Sequence, residues 1–338
     1  MNDLKRASIE KRTLAIADRY VHDNTLALTK SMDFYTLANL VRNLDDVESE
    51  MTILSLYRMD LDFNYAHEVL PILERFDEII LEDCEGSHLH MIISSAMKQA
   101  SIRRFRIFSQ VLDPHVDEAL ETGLKNSTLV DLSLTIEMPR ETTERLCLGI
   151  NHSRLQKLSL DQCEVYVDAV EVLCDCFRSN PSLQVLRLEH CRFRDYEIAE
   201  LVRSVKDHPS LLELSVRMNR VLDEGVEACA ELLQCTPRLE RLDLSQQDPG
   251  FLDLRPLAES LRINRTLTHL NIQENYLNDA HIPALVESLS VNTTLRHLNL
   301  ENCELKQEGL SLLMNSLGNW TTLTHLHLKE NNFREPPN

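Results

Sequence analysis

His269, His297 and His325 recur 28 residues apart, and His327 lies two places beyond the last of them. Imidazoles at a fixed interval can ligate a transition metal or form a contact row that changes charge near neutral pH. No carboxylate or cysteine shares the interval to complete a coordination shell, so a polar ladder copied during duplication is the plainer reading. If a partner does meet this column, acidification below about 6.5 charges the rings and weakens the contact. The nine cysteines are odd in number, so at least one is unpaired. Cys84, Cys163, Cys191 and Cys303 share one recurrent slot whose role is packing. Cys174-Asp-Cys176 falls in a helical stretch, where residues two apart point to different sides, a poor arrangement for a metal or redox pair. There is no phosphate-binding glycine loop, no HExxH, no paired CxxC and no nucleophile elbow. The sequence therefore predicts no enzyme, no cofactor and no metal.

Five Asn-x-Ser/Thr sequons, at Asn126, Asn151, Asn264, Asn292 and Asn319, raise the question of glycosylation. Asn264 and Asn292 are again 28 apart, and Asn126 has the same offset from the phrase that follows it. They read as a recurring turn element, not as glycan acceptors.

The element that positions all these residues is a repeat. Leu155, Leu183, Leu211, Leu239, Leu267, Leu295 and Leu323 each open one nine-residue phrase: LQKLSLDQC, LQVLRLEHC, LLELSVRMN, LERLDLSQQ, LTHLNIQEN, LRHLNLENC and LTHLHLKEN. Upstream, Leu129, Ile102, Phe76 and Met51 open looser versions, and Asp23 opens a degenerate one that keeps Leu26 and Leu28. Apolar positions alternating with outward ones predict a short strand. A second stretch such as Asp168–Arg178 or Glu224–Leu233 carries apolar residues at helical spacing. Asp195, Asp223 and Asp279 recur just before those stretches as candidate helix caps. Pro181, Pro209 and Pro237 end each helix and restart an extended chain.

A phrase of this form with a period in this range is the leucine-rich-repeat signature. With a full helix and Cys or Asn at the ninth position, residues 51–331 resemble the ribonuclease-inhibitor-like class, shared by Ran GTPase-activating proteins and the sensor ends of nucleotide-binding immune receptors. The resemblance implies an α/β leucine-rich-repeat solenoid of about 11–12 repeats, a horseshoe with parallel strands on the concave face and helices on the convex face. It also implies that the concave or rim surface binds protein. Residues 1–50 are expected to form an N-terminal cap, helical over 1–22, with the degenerate first repeat. Residues 51–338 are expected to form the repeat domain continuous with it. The chain stops at Phe333-Arg-Glu-Pro-Pro-Asn with no closing helix, which leaves either a charged tail blunting an exposed edge or a covering segment elsewhere.

A net charge of −19 argues against nucleic acid or an anionic membrane as partner and would favour a basic protein if the acidity gathers on one face. Without a secretory leader or a membrane-length apolar run, the expectation is a cytoplasmic monomer. Candidate contact residues are the outward ones. Asp77 and Glu78 stand beside Arg103 and Arg104, with Asp131 flanking Arg104; Arg106 and Phe108 face Ile80 and Glu82, with Phe108 held out to solvent. Arg187, His190, Leu212, Arg217 and Met218 continue the outward set, since arginines and aromatics dominate interface hot spots. At the rim, Gln247 replaces the ninth-position residue and is followed by Asp248-Pro249-Gly250-Phe251, so Phe251 is a candidate contact of a protruding loop. The reading is a non-enzymatic interaction scaffold or inhibitor. The alternatives are a Ran-type GTPase activator and a ligand-sensing module of a larger protein.

Overall fold

The computed structural model describes residues 21–22, 24–42, 44, 51–109, 114–125, 127–247, 253–277 and 279–332. The chain divides into two compact units, Met1–Gln156 and Lys157–Asn338. Each is a stack of strand–turn–helix repeats.

In the first unit the strands are β1 (Val21–His22), β2 (Thr25–Thr29), β3 (Ile53–Tyr57), β4 (Glu78–Glu82), β5 (Arg104–Phe108), β6 (Asp131–Thr135) and the two-residue β7 (Glu137–Met138). Strands β2 to β6 pair in parallel, each with the next in the chain. Helices α1 (Phe34–Arg42), α2 (Phe63–Val69), α3 (Leu89–Lys98), α4 (Pro114–Leu124) and α5 (Arg140–Asn151) form the second layer. The degenerate phrase at Asp23 is a working repeat: Leu26 and Leu28 are fully buried and align with Leu54 and Leu56. Val21 and His22 differ from expectation. They do not end a helix but pair antiparallel with Leu26 and Thr25. The rest of the expected helical cap, residues 1–20, lies outside the described residues.

The second unit contains β8 (Lys157–Asp161), β9 (Glu164–Val165), β10 (Val185–Glu189), β11 (Glu213–Ser215), β12 (Arg241–Asp243), β13 (His269–Asn271), β14 (His297–Asn299) and β15 (His325–His327). Apart from β9 they form one parallel series in chain order. The helices are α6 (Val170–Ser179), α7 (Asp195–Ser204), α8 (Asp223–Cys235), α9 (Arg255–Ile263), α10 (Ile282–Val291) and α11 (Gln307–Ser316). Alternate strand residues point into the core, and Leu158, Leu160, Leu186 and Leu188 are at most 1 % exposed. Truncating one such leucine to alanine costs about 2–5 kcal/mol.

The ninth residue of the phrase turns under the sheet and binds backbone of the preceding repeat. Asn219 Nδ2 donates to the Leu188 carbonyl at 2.7 Å, and its Oδ1 accepts from the Phe193 N–H at 3.1 Å. Asn275 and Asn331 donate likewise to the Leu244 and Leu300 carbonyls. Cys191 and Cys303 place Sγ against the Leu160 and Ile272 carbonyls. Gln247 is no anomaly: Nε2 reaches the Val216 carbonyl and Oε1 accepts from the Val221 N–H. Directly before it, the eighth residue takes positive φ, from Gln162 and His190 through Met218, Gln246, Glu274, Asn302 and Glu330.

A second polar series lies at the helix ends. Asn264 and Asn292, 5 % and 3 % exposed, accept from backbone N–H groups of the next turn and donate to the Leu233 and Leu261 carbonyls. These two sequons are structural turns whose amide nitrogens are already engaged. His208 fills the same slot, against the Asn180 carbonyl at 2.8 Å.

The aspartates cap differently from expectation. Asp195 and Asp223 are the first residues of their own helices, not the residues before them. Asp195 serves the next repeat: its carboxylate accepts from the N–H groups of Leu222, Glu224 and Gly225 at 2.7–3.0 Å. Asp279 does the same for Lys306 and Gly309. Glycine at the receiving end leaves room for the carboxylate: a Cβ at Gly225 would lie 2.7 Å from Asp195 Oδ1, and one at Gly309 2.8 Å from Asp279 Oδ1, so either would push the capping carboxylate aside.

All nine cysteines are free thiols, and only Cys235 is exposed. Cys174 and Cys176 are both buried. Burial pushes the thiols of Cys84 and Cys174 up to about 11 and those of Cys229 and Cys303 to about 12, so they stay protonated and unreactive at neutral pH. Two outcomes are expected. A thiol reagent added to the native protein modifies Cys235 alone, and the others only on unfolding. In urea unfolding followed by circular dichroism, Asp195→Ala and Gly225→Ala each lower stability by about 0.5–2 kcal/mol. The double variant loses less than the sum, because both changes break the same bonds; full additivity would refute the shared cap.

Candidate functional site

Strand residues that do not enter the core line the open face of each sheet. In the first unit Glu78, Ile80 and Glu82 stand level with Arg104, Arg106 and Phe108. Glu78 is 4 % exposed, and both arginines close on it: Arg104 Nε lies 2.9 Å from Oε2, and Arg106 Nε lies 2.8 Å from Oε1. Neither Nε–H is aimed for a hydrogen bond, so these contacts are ion pairs. Arg104 Nη2 also donates to Asp77 at 2.8 Å. Arg103 is level with Asp77 as expected, its N–H donating to the Asp77 carbonyl at 2.8 Å, but its side chain is exposed and the Asp77 carboxylate pairs with Arg104. Asp131 is level with Arg104 on its other side, as expected. Phe108 is half-buried between Glu82 and Thr135 and is not held out to solvent. The two arginine side chains remain about two-fifths exposed.

In the second unit Arg187 lies on the open face and pairs with Glu213, Nη2 to Oε1 at 2.6 Å. Arg217 donates from Nε to the neutral Gln246 Oε1 at 2.7 Å. His190 and Met218 occupy the positive-φ turn at the sheet edge, with Met218 exposed. They line a depression of about 480 Å³ together with Arg192, Arg194, Arg220, Asn219 and Gln246. Sequence reasoning passed over those three arginines because they follow the phrase instead of lying within it. Phe251 falls outside the described residues.

His269, His297 and His325 do stack. Their ring centres are 4.1 and 4.2 Å apart, and the planes tilt by 6° and 13°. Thr268 and Thr324 hydroxyls contact Nδ1 of His269 and His325 at 2.8 and 2.9 Å and help set the ring orientation. Parallel rings carry their ring nitrogens side by side instead of converging on one point. Among the described residues no set of three or more His, Cys, Asp or Glu is placed to hold a metal. The column borders a depression of about 340 Å³ with Arg187, Glu213, Arg241 and Asp243. Burial, reinforced by the Arg241 guanidinium, lowers His269 below the usual histidine value; burial and the neighbouring His325 lower His297.

Among the described residues no helix is long and apolar enough to cross a membrane. A family model described as Leucine Rich repeat matches residues 291–314. An internalin from Listeria monocytogenes shares the fold at a TM-score of 0.50 and 15 % identity, over 98 % of this chain and 88 % of that one. The Toll–Spatzle complex of Drosophila matches at a TM-score of 0.41 and 13 % identity, over 93 % and 51 % of the two chains. Leiomodin-1 actin-binding site 2 matches at 0.33 and 15 %, over 48 % and 79 %. No curated protein sequence matches. Repeat phrase, parallel strands alternating with helices and the matched repeat together show a leucine-rich-repeat fold.

The lowered histidines give stability a direction with pH. The folded chain resists protonation, whereas the unfolded chain takes up protons near 6.5, so the contribution is complete above that value and is lost as pH falls through it. The melting temperature is expected to drop on acidification below about 6.5. The His269→Gln/His297→Gln variant should show a shallower drop; an unchanged slope would remove the column as its cause.

Proposed function

We propose that this chain is a non-enzymatic protein-interaction module that holds a protein partner on the open, outward-facing side of its sheets. The observation that carries this reading is the division of labour along each strand. The inward residues are nearly uniform leucine, while the outward ones differ from repeat to repeat and most stay half-exposed. Glu78, Arg104, Arg106 and Phe108 make the best-built contact set, because the buried carboxylate fixes both guanidinium groups before any partner arrives. Such preorganisation reduces the ordering cost of binding. Full helices of nine to thirteen residues in most repeats, with Cys or Asn in the ninth slot, fit the ribonuclease-inhibitor-like class. Nine free thiols suit a reducing cytoplasmic setting.

The test is capture of partners from cell lysate, read by mass spectrometry, with the native chain against an Arg106→Glu, Phe108→Ala, Arg217→Glu variant that circular dichroism shows to be folded. A partner kept by the native chain and lost from the variant supports the reading. Equal capture by both would move the contact surface away from the open faces.

A further inference from the structure

Most of the charge of this molecule is negative, and several arginines of the second unit are neutralised where they stand. Arg187, Arg203 and Arg262 each close on a glutamate, at 2.6, 3.1 and 2.6 Å. The edge of the same unit around β10 and β11 is different. His190, Arg192 and Arg194 from one turn and Met218, Asn219 and Arg220 from the next line the 480 Å³ depression, together with Gln246. Among the described residues no Asp or Glu lines it. Arg192 is exposed, with no carboxylate in reach among the described residues. Arg194 is exposed as well, and its side chain meets only the Tyr196 hydroxyl, at 3.4 Å. The neighbouring Glu197 carboxylate is buried and already accepts from the Arg194 N–H and from Tyr196 Oη.

We infer that this depression is a docking site for an extended acidic segment of a protein partner, in which Asp or Glu side chains flank one apolar residue. The inference rests on the interaction-module reading and adds the partner's chemistry, which is opposite to the basic partner that net charge alone suggests. The Arg192 and Arg194 guanidinium groups, which meet no carboxylate among the described residues, can each take one with two parallel N–H···O bonds and displace nothing but water. Met218, exposed on its positive-φ turn, offers a deformable apolar surface for the residue between the acids. Asn219 is spent on backbone beneath the site and forms its floor.

The test is fluorescence anisotropy on the full chain with a labelled Asp/Glu-rich peptide bearing one central leucine. The controls are its Asn/Gln counterpart and a phosphoserine peptide without carboxylates. Expected are saturable binding of the acidic peptide that weakens as salt rises, no binding of the amide peptide, and at least tenfold weaker binding by an Arg192→Glu/Arg194→Glu variant. Both changes are on exposed side chains, and urea unfolding checks that the variant keeps native stability. Undiminished binding by that variant, equal binding of the amide peptide, or binding of the phosphopeptide alone each overturns the assignment. Loss of a lysate partner through Arg106 and Phe108 with no response to the acidic peptide overturns this site alone and leaves the module reading standing.

Discussion

The structure depends on what happens to the carbonyls left over where each strand ends and the chain dives under the sheet. A buried carbonyl without a donor costs about 1–3 kcal/mol, and every repeat produces some. The ninth residue of the phrase answers that need from within the next repeat, whether as Asn219, Gln247 and Asn275 or as Cys191 and Cys303. The residue before it must take positive φ to make the dive, and non-glycine residues accept that strain at slot after slot. Leucine packing then fills the space those hydrogen bonds define. The order of dependence is polar first and apolar second, since a leucine core alone leaves register unspecified.

With shape settled by the inward residues, the outward ones are free to differ, and their electrostatics diverge between two kinds of site. At Glu78 the chain places its own anion beneath two arginines and fixes them. At Arg192 and Arg194 it supplies none. The same side-chain type is preorganised in one place and left hungry for charge in the other. A net charge summed over the whole chain hides this contrast, because the acidity is spread over helix surfaces and internal pairs.

Much of the architecture was legible in the sequence. The interval of the leucines gives the strands their register, and His269, His297 and His325 stack because that register is strict. Glu78 opposite Arg104 also follows from counting. What counting does not give is burial and direction. Phe108 looked free because it alternates outward, but Glu82 and Thr135 on the flanking strands half-cover it. The acceptor aspartates were found at the right places and assigned to the wrong helices, because capping is decided by which N–H groups lie nearby in space. Arg192, Arg194 and Arg220 were missed because the turn that gathers them has no fixed periodicity.

The capping aspartates reach only forward. Asp195 completes the helix that begins at Asp223, and Asp279 completes the one at Gln307. Where such a bond exists, the two sides of a break between repeats are unequal. The earlier repeat is left with a carboxylate that water satisfies readily. The later repeat is left with bare amides at a helix start that has lost its stabilising charge. At these caps the contact is therefore directional in its tolerance of loss: removing the later repeat leaves less unmet need at the aspartate than removing the earlier one leaves at the amides.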